Sequence, residues 1–188
     1  MAVVTGFLPK AKMIYSVSDG ATRGRNGGLL DTIAFRNTLG RFATGVCLIT
    51  VNDAQSGPLA LTANSFASVS LDPALVLWSI QRNSECLREY TECAEFGISV
   101  LAQDQMALSN HYAKKGAHGI DPAHFSFDDA NVPVLSGAVA HFSCDRHVIY
   151  DGGDHDIIVG KVRAFSSSDA QPLLFFQGGY GALAAKSD

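Results

Sequence analysis

Charge is scarce in this sequence: 14 Lys and Arg and 18 Asp and Glu make up 17% of 188 residues. A protein that captures nucleic acid needs clustered cations to displace counterions. The formal net charge here is −4, and Lys114-Lys115 is the sole adjacent basic pair, read as a solvated loop. The composition therefore predicts no nucleic-acid partner. No apolar run approaches the roughly 20 residues that span a bilayer, so no membrane is predicted either. Met1 to Met13 lacks a basic stretch followed by a long apolar one, and no secretory signal is read there. The expected compartment is cytoplasmic. Cysteines number four, Cys47, Cys86, Cys93 and Cys144, with no CxxC spacing. Structural zinc wants close ligand pairs, because two ligands from one turn fix half a tetrahedron. The four are read as reduced packing residues, and no metal is expected.

What is present is apolar. A hydrophobic content of 47% excludes an intrinsically disordered chain, and 188 residues suffice for one domain with a sizeable core. Ser16 to Gly28 (SVSDGATRGRNGG) has little to bury, so residues 1–28 are read as a flexible extension. The domain is placed at 29–182 and a short tail at 183–188. Asp31 or Thr32 can cap a helix with Phe35, Leu39 and Phe42 at helical spacing, ending at Gly45. Extended segments are read over Val46–Val51, Leu59–Ala63, Phe66–Leu71, Ala74–Ile80, Phe96–Leu101, Ala138–Tyr150, Asp156–Phe165 and Pro172–Gln177. Helices are read from Ser84 to Glu95 and from Asp104 to Ala113. Many strands, few helices and no regular βαβ alternation predict a mainly β, antiparallel barrel with peripheral helices.

Several familiar sites are missing. There is no GxxxxGK[ST], no GxSxG, and no HxxxH or HExxH. Gly179 to Ala184 matches GxGxxA, but too near the end of the sequence for the helix, strand and ribose-binding acid that should follow. Asp151, Asp154, His155 and Asp156 crowd around Gly152-Gly153, yet Val162 stands where a calcium loop needs its bidentate Glu. That group is read as a polar turn. Two features remain. Thr62 to Ser70 (TANSFASVS) is a small, hydroxyl-rich run in which Thr62, Asn64, Ser68 and Ser70 share one face of an extended chain. Such a surface suits a flat heteroaromatic ring with carbonyl and imide edges. Arg82-Asn83-Ser84 opens a helix, where free amides beside a guanidinium suit a phosphate.

The segments FRNTLGRFATGVCLITV, LTANSFASVSLDPALVLWSI, FGISVLAQDQMALSNHYA, PVLSGAVAHFSC, GGDHDIIVGKV and PLLFFQGGY occur in order. Together they closely resemble the short-chain flavin reductases that serve two-component, flavin-diffusible monooxygenases. The resemblance runs from Phe35 to Tyr180. ATGV, TANSFxSVSLDP and GDHxxxxG are its specific motifs; Gly178-Gly179 departs from it, where many relatives carry a basic residue before the tyrosine.

The resemblance implies an FMN-binding split β-barrel, a homodimer with flavin in a groove near the dimer interface. It implies NAD(P)H:flavin oxidoreductase activity, with FMN or FAD reduced by hydride transfer from nicotinamide C4 to flavin N5. Reduced flavin would pass to a separate monooxygenase component. Carried over by motif, Ala43, Thr44, Gly45, Val46 and Cys47 line the ring region, and Thr62, Ala63, Asn64 and Ser65 contact the isoalloxazine. Ser68, Val69 and Ser70, with Gln81, Arg82, Asn83 and Ser84, hold the ribityl and phosphate portions. Gly153, Asp154, His155 and Asp156 border the nicotinamide, with His155 as the catalytic-site contact. NADH is favoured over NADPH because no Arg pair near that turn suits a 2′-phosphate. Two rivals are a flavin- or haem-binding module on the same barrel without turnover, and an oxidase of a pyridoxal-type substrate. The second would need more Arg and Lys than the sequence offers.

Overall fold

The computed structural model describes residues 30–184. The extension read over 1–28, and residues 185–188 of the tail, lie outside them. The chain divides into two units, 1–42 and 43–188. The first holds helix α1 (Thr32–Leu39). Its cap is Asp31, whose Oδ1 accepts the Ile33 and Ala34 amides at 3.0 Å each, satisfying two of the donors a helix start leaves open. The helix ends at Gly40, short of the Gly45 expected, because Thr44 and Gly45 are extended and pair with another strand.

The second unit runs β1 (Thr44–Gly45), β2 (Cys47–Asp53), β3 (Gly57–Ala63), β4 (Ala67–Leu71), β5 (Ala74–Gln81), α2 (Leu87–Glu92) and β6 (Glu95–Val100). A single 3₁₀ turn (Gln103–Gln105) leads into α3 (Met106–Tyr112). Then come β7 (Phe125–Phe127), β8 (Pro133–Leu135), β9 (Ala140–Asp151), β10 (His155–Ser167), β11 (Leu174–Phe176) and β12 (Gly179–Gly181). Seven strands form one sheet in the order β3-β2-β6-β9-β10-β5-β4, every pairing antiparallel. Smaller sheets join β1-β11-β12 and β7-β8.

The large sheet curls so that β3, first in that order, comes near β5, the sixth. Ser65, just past β3, bridges the gap: its Oγ donates to the Ser79 carbonyl on β5 at 3.2 Å and accepts the Ser79 amide at 2.9 Å. This partly closed antiparallel sheet agrees with the mainly β, split-barrel expectation. Its interior is aromatic. Trp78 on β5 meets Tyr90 of α2 edge-on at 5.4 Å and Phe96 of β6 at 6.2 Å, all three fully buried. Tyr90 carries its hydroxyl out of the apolar contact and donates to the Ile49 carbonyl at 2.9 Å, so its burial leaves no orphan donor.

Two expected elements change shape. The helix read over Ser84–Glu95 is only Leu87–Glu92. Ser84 Oγ does accept a nearby amide, that of Cys86 at 3.3 Å, but within a turn that precedes the helix. The segments read over Leu59–Ala63 and Phe66–Leu71 are β3, ending at Ala63, and β4, starting at Ala67, but the break between them and a bulge between Ser68 and Ser70 separate Thr62 and Asn64 from the face that Ser68 and Ser70 were expected to share. Alternation over the whole run therefore fails. The four thiols are free, as read. Burial pushes Cys47 and Cys144 up to about 12, and Cys86 and Cys93 to about 11.

Candidate functional site

Where the curled sheet is open, the end of β3, the end of β5 and the start of β10 face the loop after α3 across a cleft of about 500 Å³. That size lies within the roughly 300–1,000 Å³ usual for a small-molecule site. Thr62, Ala63, Ser65, Gln81, Asn83, Ser84 and His155 line it, from the residues singled out in the sequence. A smaller apolar annexe of about 160 Å³ shares Thr62 and Ala63 and adds Val46, Asn64, Phe175 and Tyr180. Antiparallel pairing of β10 with β5 sets His155 directly opposite Gln81, so segments 74 residues apart meet at one rim.

The polar groups there divide into spent and unspent. Thr62 donates its hydroxyl to the Ser109 carbonyl at 2.8 Å, and Ser65 is committed to Ser79. These hydroxyls can still accept but have no proton left to donate. Among the described residues, the side chains of Gln81, Asn83 and Lys115 make no hydrogen bond or ion pair, and Ser84 keeps its own proton. In the annexe the Asn64 amide is unspent as well. Thr44, across from Phe175 in the β1–β11 pair, has a buried Oγ1 with no partner.

Arg82 is elsewhere. Its Nε donates to Asp156 Oδ1 at 2.9 Å and its Nη2 to Asp151 Oδ2 at 3.0 Å, and it does not line the cleft. Expected beside free helix amides, it instead fastens the turn between β9 and β10; α2, six residues long, begins only at Leu87. The Gly153 amide, and then Arg82, hold the Asp151 carboxyl below its usual range. Asp154 is likewise lowered, by its hydrogen bond with His155, whose Nδ1 lies 2.7 Å from Asp154 Oδ1. Gly153, Asp154 and Asp156 form the turn, and of that motif only His155 reaches the cleft lining. Ser68, Val69 and Ser70 lie on edge strand β4, outside both lining sets. Ala43, Gly45 and Cys47 are also outside them, Cys47 being buried in the core.

The opposite wall was missed. Glu85, Lys115 and His118 line the cleft, from segments 30 residues apart. The buried His118 presents Nδ1 to the Ala60 carbonyl at 3.2 Å and Nε2 to Glu85 Oε1 at 3.0 Å. Glu85 Oε1 also accepts the Gly116 amide. This clamp fixes the loop that brings Lys115 to the cleft; both lysines are exposed on that loop, as read, and Lys115 also lines the cleft. Only the adjacency of the two lysines signalled it. Tyr180 was marked by the departure before it, not by its own chemistry. It closes the annexe, accepting from Ser109 Oγ at 2.8 Å and donating to Asn110 Oδ1 at 3.2 Å.

The family described as flavin reductase like domain matches residues 39–184. The chain is similar to the FMN reductase (NADH) SmoA of Agrobacterium fabrum, 43% identical over 79% of this chain and 84% of that protein. It is similar to the reductase component of the flavin-dependent trigonelline monooxygenase of Acinetobacter baylyi, 37% identical over 77% of this chain. The chain spans about half that relative's length, 47%. Among solved structures, the NADH:FAD oxidoreductase of Streptomyces globisporus in complex with NAD and FAD fragments aligns with a TM-score of 0.79. Its identity is 33%, over 84% of this chain and 96% of that one.

Proposed function

The chain belongs to the flavin reductase like family and is an NAD(P)H-dependent flavin reductase, and we propose that it supplies reduced FMN or FAD to a separate monooxygenase, with NADH as donor. The observation that carries the site assignment is the unspent donor set of Gln81, Asn83, Ser84 and Lys115 around one cleft that His155 also lines. Neutral amides and a hydroxyl fit the carbonyl and ribityl groups of a flavin, and a single unpaired cation fits its phosphate. When bound there, flavin and nicotinamide supply the hydride chemistry themselves. The protein's work is to align two rings and exclude other orientations. No nucleophilic side chain is required, which suits a lining whose free groups are the amides of Gln81 and Asn83 and the hydroxyl of Ser84.

Ala43 to Cys47 and Thr62 to Ser65 are kept as the ring region, with Val46, Thr62, Ala63 and Asn64 at the annexe its nearest members. The phosphate role moves from Arg82 and the Ser68–Ser70 strand to Ser84, Asn83 and Lys115. His155, its ring held through Nδ1 by Asp154, orients the nicotinamide with Nε2. The domain is taken as 29–182 and the compartment as cytoplasmic. A homodimer is supported by large apolar side chains left in solvent on the big sheet, Leu71 at 97% and Phe165 at 77% exposed, which a second copy would cover.

The test is direct. Purified chain with added FMN or FAD should oxidise NADH and yield reduced flavin that an external acceptor intercepts. Absence of turnover above the free-solution reaction with every flavin–nicotinamide pair refutes the function.

A further inference from the structure

We propose that Arg82 is a positioning residue for the nicotinamide side of the site, holding the turn that presents His155, and takes no part in binding the flavin phosphate. The inference rests on the flavin-reductase reading of the cleft. The turn runs from Asp151, the last residue of β9, to Asp156, the second of β10. Its internal bonds are local: the Gly152 amide donates to the His155 carbonyl at 2.9 Å and the Gly153 amide to Asp151 Oδ1 at 2.8 Å. Gly153 sits at φ +84°, a conformation that admits glycine and strains other residues. None of these bonds ties the turn to the rest of the cleft.

Arg82 does, at three points. Its backbone amide donates to the Asp154 carbonyl at 3.0 Å, continuing the β5–β10 ladder one residue past the His155–Gln81 pair. Its guanidinium then reaches over both strands of the hairpin. Nη2 lies 2.8 Å from Asp156 Oδ1 and 3.0 Å from Asp151 Oδ2, and Nε lies 2.9 Å from Asp156 Oδ1. One planar group thus fixes both ends of the turn, which a lysine's point charge does less well. Two carboxylates already satisfy the charge, so a phosphate would have to break those pairs to use it. The arms are unequal. The Asp156 side chain is 18% exposed and that of Asp151 75%, so solvent screens the Asp151 pair more. His155 is the turn residue that lines the cleft, and its ring is bonded to Asp154, whose carbonyl Arg82 holds. Freeing the guanidinium therefore loosens the ring's carrier while leaving Gln81, Asn83, Ser84 and Lys115 in place.

The experiment uses Arg82→Met, Arg82→Lys, Asp156→Asn and Asp151→Asn in the full chain. Loss of one exposed and one more sheltered ion pair corresponds to a rise in KM for NADH of about three- to tenfold for Arg82→Met, with any fall in kcat reporting lost ring alignment. Asp156→Asn should follow with a smaller rise and Asp151→Asn with the least, while Arg82→Lys should recover part of the loss. Dissociation constants for FMN and riboflavin should both stay within about twofold of the parent, below the tenfold expected of a lost phosphate contact. Selective weakening of FMN in Arg82→Met overturns the proposal, and so does an unchanged KM for NADH. If the parent protein shows no turnover with any flavin, the family function has failed, and the positioning claim is then read by NMR. The His155 ring signals should shift or broaden in Arg82→Met, and unchanged signals overturn it independently of activity.

Discussion

Removing the Lys115 charge should separate two flavins that differ only by a phosphate. Lys115 is the one cation lining the cleft, and it has no carboxylate partner among the described residues. Glu85, on the same wall, turns Oε1 to the Gly116 amide and His118 and makes no ion pair with Lys115. The loop itself is pinned: the Ala60 amide donates to the His118 carbonyl at 2.8 Å and the Ala117 amide to the Lys114 carbonyl at 3.2 Å. A hydrogen bond to a charged group contributes about 1.5–3 kcal/mol where water is excluded. Lys115 is exposed, so the lower end applies, and about 1.4 kcal/mol corresponds to tenfold in affinity. Lys115→Met should therefore weaken FMN about tenfold at low salt and leave riboflavin within roughly twofold. Raising salt from about 0.1 M to 1 M shortens the screening length from roughly 10 Å to 3 Å and should shrink the difference. Lys114→Met is the control, since Lys114 does not line the cleft. The measurement is flavin titration by fluorescence for each variant and salt. Equal weakening of FMN and riboflavin, or an equal effect from Lys114→Met, refutes the phosphate assignment.

His155→Ala should raise KM for NADH while leaving flavin dissociation constants nearly unchanged, and unchanged steady-state kinetics at saturating flavin would return His155 to a plain strand opening. Gly160→Ala should destabilise the fold by about 1–3 kcal/mol, because its Cβ would sit 2.5 Å from Phe96 Cζ and 3.0 Å from Cys144 Cβ. Thermal melts should show a fall in Tm of roughly 2–12 °C, and no fall contradicts the packing. For the cysteines, pH supplies the test: thiols held up to about 12 in the folded chain ionise near their usual 9.0 when unfolded. Between those values the unfolded state has lost protons that the folded state keeps, so stability falls as pH rises above about 9. Melting temperatures across that range check the sign, and rapid labelling of Cys47 or Cys144 in native protein at pH 8 would contradict their burial.

What the sequence showed, and what it hid, follows from how local each signal is. ALVLWSI, a continuous apolar run bounded by Asp72-Pro73, reads as a strand buried on both sides; β5 is Ala74–Gln81, but only Val76, Trp78 and Ile80 are buried and the residues between them are half-exposed, so one face alone meets the core. NDAQSGP reads as a hairpin turn, and Asp53 Oδ1 accepts the Gln55 and Ser56 amides just as a turn-forming Asp does. β7, β8 and β12 escaped because three-residue strands have too little sequence to show a period, and their partners define them. Ser84 misled for a related reason. A serine that accepts an amide two residues on looks the same in sequence whether a helix or one more turn follows.

The site was half legible on the same principle. Thr62 to Ser65 and Gln81 to Ser84 are contiguous runs of unusual composition, so residue type alone marks them. The Glu85–His118 clamp is invisible to such reading, because neither residue is distinctive and only the return of the chain after α3 brings them to 3.0 Å. Arg82 shows the sharper limit. An arginine next to Asn and Ser states a capacity for anions without stating which anion it meets, and Asp151 and Asp156 compete for it from 69 and 74 residues away. Lys115 was read as part of a solvated loop and is exposed there, yet it also lines the cleft and makes no ion pair, while Glu85 on that wall turns Oε1 to the Gly116 amide and His118. Which cation serves a ligand is thus decided by which carboxylates the fold has already paired. That pairing is a property of topology, and residue type alone does not carry it.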